Sequence, residues 1–194
     1  MKPLDRFLQK WRIAMARPYL PQNALVLDVG TSCGVLFTLL QDTIQGGIGI
    51  DPDACVSENH AHDRVRLIRG TFPADLPPCG PFDAVTLLAV VEHIPAGELR
   101  QWPAFLAGLL RPGGRIIITV PSPWVDTILA VLKFLRVIDA MALEEHHGFQ
   151  TRDVMELFGG PPFRLLVKRK FQLGLNNLFV FEKITGNIGT ENRE

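Results

Sequence analysis

The chain has 194 residues, of which 47% are hydrophobic and 21% charged, a composition typical of a globular domain with a sizeable core. Lys and Arg total 20, as do Asp and Glu, so the charge balance does not indicate a nucleic-acid partner. The cysteines are Cys33, Cys55 and Cys79, without a CxxC pair. They indicate neither a disulfide framework nor a zinc site and favour a reducing, cytoplasmic location. The charged beginning, MKPLDR, is unlike a signal peptide.

Short apolar runs alternate with helical segments along the chain, a pattern that predicts βα units around a parallel sheet. The first predicted elements are a helix over 4–16, a strand over 24–29, a helix over 34–41, a strand over 47–50 and a helix from Pro52. Strands over 65–69 and 82–91, a helix over 98–110 broken at Pro103, a turn at 111–114 and a strand over 115–120 follow. A short helix over 151–158 and a hairpin of strands over 164–171 and 178–184 come last.

Residues 124–143 form a strongly apolar segment that four charges interrupt, namely Asp126, Lys133, Arg136 and Asp139. Central charges are costly in a bilayer, so we expect an amphipathic helix and no stable membrane span. The whole pattern predicts one domain over 1–184, with a leading helix within 1–20, an apolar helical segment over 122–148 and a frayed tail at 185–194.

The loop after the first strand carries the main functional signal. The stretch LVLDVGTSCG, residues 25–34, runs from a buried strand through a glycine turn into a helix, and ligands of open α/β sheets bind at such strand ends. The G-x-G-x-x-G fingerprint of NAD sites fails here at Ser32 and Val35. Asp28 would repel a pyrophosphate but suits a ligand that carries an amino group and a positively charged sulfur. A tight turn without a ligand is the alternative.

This stretch resembles the first motif of the class I S-adenosylmethionine-dependent methyltransferases, an acid followed by alternating glycines, with Ser32 in place of the middle glycine. The resemblance covers about residues 24–120 and includes LRPGGR at 110–115. The fourth strand starts with Phe82-Asp83 and ends with Glu92-His93-Ile94, as in the small-molecule branch. The resemblance implies an α/β, three-layer Rossmann-like methyltransferase fold, with a mostly parallel seven-stranded sheet that ends in an antiparallel hairpin. It also implies S-adenosylmethionine as cofactor and S-adenosylhomocysteine as product.

The same resemblance supplies a set of cofactor-binding residues: Asp28, Gly30, Thr31, Ser32, Gly34, Asp51, Pro52, Thr71, Phe72 and Ala89. Asp51 lies 21 positions after Gly30, close to the spacing of a ribose-binding acid, although a helix N-cap is the alternative. Thr71 stands where the family often has an acid that binds adenine. Phe72 either stacks on the adenine ring or anchors its loop.

The candidate catalytic residues are Glu92, His93, His146 and His147. His93 is the first candidate for a general base because it follows a strand end, with Glu92 orienting it or contacting substrate; a histidine satisfied by the backbone is the alternative. Glu144, Glu145, His146 and His147 either bind substrate or a metal or only end a helix, and we predict no metal site.

From these residues we expect methylation of a small molecule, at oxygen or carbon, with segment 122–148 near the acceptor pocket. That apolar segment makes a hydrophobic acceptor one alternative. A non-catalytic binding protein of the same fold is a second alternative. An NAD(P)-dependent oxidoreductase is a third, disfavoured by the failed fingerprint and Asp28. No nucleic-acid partner is expected, and the oligomeric state stays open.

Overall fold

The computed structural model describes residues 3–56, 64–122 and 151–185. The helices there are α1 (Pro3–Ala16), α2 (Val35–Leu39), α3 (Ala96–Leu99), α4 (Trp102–Leu109) and α5 (Thr151–Phe158), with 3-10 turns at Arg17–Tyr19 and Val91–His93. The strands are β1 (Ala24–Val29), β2 (Ile44–Asp51), β3 (Val65–Arg69), β4 (Phe82–Leu88), β5 (Leu110–Pro121), β6 (Phe163–Phe171) and β7 (Asn176–Lys183).

The strands form one seven-stranded sheet in the order β3-β2-β1-β4-β5-β7-β6. The first five run parallel to their neighbours, and β7 pairs antiparallel with both β5 and β6. The order changes direction at β1, since β2 lies on one side of it and β4 on the other. A ligand crevice is expected at the carboxyl ends of the strands that flank such a switch point.

Two apolar cores cover the two faces of the sheet. Along β1, Val26 faces a core that includes Ile13 of α1 and Phe37 of α2, whereas Leu27 faces a core that includes Trp102 of α4. Both β1 residues are fully buried, as expected for a central parallel strand that is apolar on both faces. Two helical layers around one sheet confirm the predicted three-layer α/β fold and its terminal hairpin.

Several predicted bounds need correction. Pro52 and Asp53 form a turn, closed by the Ala54 N–H, which donates to the Asp51 carbonyl at 3.1 Å, and residues 54–56 do not continue it as the helix predicted from Pro52. Strand β4 ends at Leu88 and is followed by a 3-10 turn, and the predicted turn at 111–114 is a bulged part of β5. The predicted helix over 98–110 is two helices, with Pro103 in the first turn of the second.

The cysteines also differ from the expectation. Cys33 and Cys55 are joined as a disulfide, whereas Cys79 is free. The pairing joins two loops that meet only after folding, so the spacing in sequence gave no sign of it.

The expected apolar helix of segment 122–148 lies outside the described residues after Ser122. No helix within the described ranges is long and apolar enough to cross a membrane.

Candidate functional site

A cavity of about 170 Å³ lies at the switch point of the sheet. The ends of β1 and β4, the turn after β1, α1 and α2 all contribute to its lining. Its lining residues are Asp5, Gln9, Arg12, Ile13, Asp28, Gly30, Thr31, Leu36, Leu88 and Ala89. Of the residues predicted to bind the cofactor, Asp28, Gly30, Thr31 and Ala89 therefore share one cavity.

Asp28 supplies a buried carboxylate at this cavity. It is only 5% exposed, and its Oδ1 accepts a hydrogen bond of 2.6 Å from the Thr86 hydroxyl on the neighbouring strand β4. Burial raises the pKa of Asp28 to about 6, and the hydrogen bond from Thr86 opposes that rise. A desolvated carboxylate is costly without a cationic partner, so the site is suited to a positively charged ligand group.

Gly30 allows the chain to turn directly beneath the cavity. Its φ is +77°, a left-handed conformation that favours glycine, and a Cβ there would collide with the Val90 side chain. Its N–H donates to the Ile50 carbonyl at 2.8 Å, which ties the turn to the end of β2. The turn then closes through the Gly34 N–H, which donates to the Thr31 carbonyl at 3.0 Å before α2 begins.

Asp51 at the end of β2 connects this turn to the next loop. Its Oδ2 accepts a hydrogen bond of 2.9 Å from the Ser32 N–H, and its Oδ1 accepts one of 2.8 Å from the Asp53 N–H. Pro52 lies exposed in the turn between these contacts. The carboxylate is half-buried and each oxygen keeps further acceptor capacity.

The two residues predicted near adenine have different surroundings. Thr71 is exposed, and its N–H donates to the Asp75 carboxylate at 2.7 Å. Phe72 is only 4% exposed and packs edge to face against Trp102 and Phe105, with ring centroids 4.8 and 5.5 Å away. This packing against the core favours the loop-anchoring alternative, and the cofactor role of Phe72 stays a prediction.

Two of the four candidate catalytic residues lie within the described ranges. Glu92 and His93 lie on the 3-10 turn after β4, with Glu92 buried at 2% exposure and His93 exposed. The His93 N–H donates to the Val90 carbonyl at 3.0 Å. His146 and His147 lie outside the described residues.

Metal ligation finds no support in the described ranges. They contain no group of three or more His, Cys, Asp or Glu residues that could hold an ion. Glu144 and Glu145 lie in the segment from 123 to 150, which those ranges omit.

Arg12 is a cavity residue that the sequence analysis did not identify. Burial lowers its pKa, while the negative charges of Glu92 and Asp5 oppose that effect. The buried Nε has no hydrogen-bond partner within the described part of the chain. The signal was available, because Asp5, Gln9 and Arg12 recur at helical spacing on the face of α1 that carries the core residue Ile13.

Comparison with known proteins adds independent information. Residues 2–160 match the family model described as a methyltransferase domain. Ribosomal protein L11 methyltransferase of Burkholderia mallei is 31% identical over 152 residues, which cover 76% of this chain and 47% of the relative. That of Burkholderia multivorans is 30% identical over 153 residues, again covering 76% and 47%. The chain thus spans about half the length of the curated relatives that it matches.

Solved structures share the fold at low sequence identity. The 1,6-didemethyltoxoflavin-N1-methyltransferase of Burkholderia thailandensis, with bound 1,6-didemethyltoxoflavin and S-adenosylhomocysteine, superposes with a TM-score of 0.67 at 18% identity, covering 91% of this chain and 78% of that one. The magnesium protoporphyrin IX methyltransferase of Synechocystis, with bound S-adenosylhomocysteine, superposes with a TM-score of 0.62 at 18% identity, covering 92% of this chain and 82% of that one.

Proposed function

Since the chain belongs to the class I S-adenosylmethionine-dependent methyltransferases, we propose that it transfers the methyl group of S-adenosylmethionine to an oxygen or carbon atom of a small molecule. The observation that supports this most is the buried carboxylate of Asp28, which lines a cavity beside the turn at Gly30. S-adenosylhomocysteine is the expected product.

The residues present fit the methionine end of this cofactor, which carries an ammonium and a carboxylate. Asp28 offers the cavity an anion, and Arg12 of α1 offers the same cavity a cation whose buried Nε has no partner among the described residues. Guanidinium groups suit carboxylates because they donate in a planar fork. We assign the ammonium to Asp28 and the carboxylate to Arg12, with Thr31 and Ala89 completing the wall.

The ribose is assigned to Asp51, whose carboxylate is already oriented by the Ser32 and Asp53 N–H groups. Its remaining lone pairs can accept both ribose hydroxyls. Gly34 and Pro52 belong to the two turns that border this acid, and Thr71 follows the neighbouring strand β3. The cofactor role of each of these residues is a proposal.

The bound cofactor supplies an activated methyl group on a positively charged sulfur. The contribution of the chain is then to hold the acceptor in line with that methyl group, because proximity and orientation lower the barrier of such a displacement. A hydroxyl acceptor must also lose a proton, and His93 is the candidate base with Glu92 as its neighbour. His146 and His147 stay candidates for the same role.

Two candidate functions differ in the class of molecule that accepts the methyl group. The two solved structures described above belong to enzymes of small molecules, which favours the proposal. The curated relatives are named for a ribosomal protein, and this favours a protein acceptor as the second candidate. A hydrophobic acceptor held near segment 122–148, a single domain over 1–184 and a cytoplasmic location stay predictions.

Thermal unfolding with S-adenosylhomocysteine or NAD tests the cofactor, and the proposal expects stabilisation by the first alone. Incubation with methyl-labelled S-adenosylmethionine and a bacterial extract, divided into small molecules and proteins, tests the acceptor. Label in the small-molecule fraction supports the proposal, whereas label only in the protein fraction supports the second candidate. Binding without label in either fraction would favour a non-catalytic role.

A further inference from the structure

Two cysteines lie on the two loops that border the proposed ribose acid. Cys33 belongs to the turn between β1 and α2, and Cys55 lies four residues after Asp51. Their sulfurs are joined, and their Cα atoms are 4.6 Å apart despite a sequence separation of 22 residues. That Cα separation lies within the range of about 4.4–6.8 Å that a disulfide requires.

The same two loops are joined by main-chain contacts. The Cys55 N–H donates to the Ser32 carbonyl at 3.2 Å, and the Ser32 N–H donates to the Asp51 carboxylate at 2.9 Å. The cross-link therefore joins the segments whose contacts orient Asp51. With the cross-link open, hydrogen bonds would hold the two segments, including the one from the Gly30 N–H to the Ile50 carbonyl. Hydrogen bonds between loops open locally at a lower cost than a covalent link breaks.

Both cysteine residues are exposed, so small thiols and disulfides can reach them. Reduction by a dithiol proceeds through thiolate attack on one sulfur and release of the other as a thiol. A second exchange converts the reagent to its cyclic disulfide and leaves two thiols on the protein. Oxidised glutathione reverses the change, forming the protein disulfide and two molecules of reduced glutathione.

We infer that Cys33 and Cys55 form a reversible disulfide that strengthens cofactor binding by fixing the turn at 30–34 against Asp51. The inference rests on the proposed function of this site. Cross-linking lowers the cost of ordering the two loops around a ligand, which is how preorganisation raises affinity. If the reduced loops occupy the binding arrangement about one tenth of the time, the affinity for S-adenosylhomocysteine falls about tenfold on reduction.

The first part of the test maps the bond and the loops without ligand. The protein is equilibrated with oxidised glutathione or dithiothreitol, digested and analysed by mass spectrometry, and hydrogen exchange is measured at residues 30–34 and 51–55. We expect a Cys33–Cys55 peptide in the oxidised form and faster exchange in the reduced form. Absence of the linked peptide, or equal exchange in both forms, would overturn the inference even if no cofactor bound.

The second part measures S-adenosylhomocysteine affinity by calorimetry in both forms. On reduction, the affinity of the wild type for S-adenosylhomocysteine should fall about tenfold. The control Cys79→Ser, which changes a cysteine outside the pair, should show the same fall. Cys33→Ser and Cys55→Ser should bind like the reduced wild type under either condition. Equal affinity of the oxidised and reduced wild type would refute the inference that the disulfide strengthens cofactor binding. Absence of binding in both forms would instead refute the proposed function.

Discussion

Replacement of Asp28 by asparagine should stabilise the ligand-free protein while weakening cofactor binding. Burial raises the pKa of this carboxyl from 3.8 to about 6, so keeping it ionised above that pH costs the folded state about 3 kcal/mol. The folded chain binds the proton of Asp28 more tightly than the unfolded chain does. The contribution of this proton to the free energy of unfolding is therefore fully present below about pH 4 and is lost as the pH rises through about 6. Asparagine keeps an acceptor for Thr86, but its amide needs a partner at a cost of about 1–2 kcal/mol, so we expect a net gain of about 1–2 kcal/mol.

Thermal unfolding between pH 4 and 8 measures this effect. For a chain of this size the gain corresponds to an increase in Tm of about 2–8 °C at pH 8, with little difference at pH 4. Asp42→Asn is a matched control, because that carboxylate also accepts a hydrogen bond from a threonine hydroxyl, at Thr43, but is exposed and pairs with the exposed Arg17. Its effect should be small at every pH. An Asp28→Asn protein that is less stable than wild type at pH 8, or that still binds S-adenosylhomocysteine normally, would refute the reasoning.

Three further outcomes are expected. Gly30→Ala should lower the free energy of unfolding by about 2–4 kcal/mol in chemical denaturation, because residue 30 has a positive φ and an added Cβ would collide with Val90. Gly108→Ala, in α4 with open space around it, should leave that free energy unchanged or raise it. Equal changes in the two variants would contradict this. Asp51→Asn should weaken S-adenosylhomocysteine binding about tenfold or more in calorimetry, whereas Asp53→Asn, which keeps the N–H that contacts Asp51, should leave the affinity nearly unchanged. Wild-type affinity should fall below about pH 6, approaching tenfold per pH unit, as Asp28 becomes protonated. A flat profile between pH 5 and 8 would contradict a role for ionised Asp28 in binding.

The fold could be predicted because burial on both faces imposes continuous apolar runs on the central strands. Strand β1 has the predicted bounds, Ala24–Val29. Strand β2 begins at Ile44, three residues before the predicted strand over 47–50. The two adjacent glycines Gly46 and Gly47 are poor strand formers, so the sequence did not indicate the earlier start. Those glycines are required by close packing, since a Cβ on Gly47 would collide with the Val26 carbonyl, and such an approach between strands is invisible in the sequence.

The site could be predicted where its residues follow one another along the chain. Asp28 and Gly30 lie in one motif, and the structure places both at the cavity. Arg12 reaches the same cavity from α1, and the Cys33–Cys55 pair forms across two loops. Both depend on tertiary packing between segments that are distant in sequence, so the local motif gave no indication of them.

The central electrostatic claim is that Asp28 binds the ammonium of the cofactor. Calorimetric titration of wild type and Asp28→Asn with S-adenosylhomocysteine and with its analogue that lacks the α-amino group tests this pairing directly. In wild type at pH 8, removal of the amino group should weaken binding about 10–100-fold, and the same removal should have little effect in Asp28→Asn. An analogue that binds wild type as tightly as the parent, or an equal loss in both proteins, would contradict the assignment.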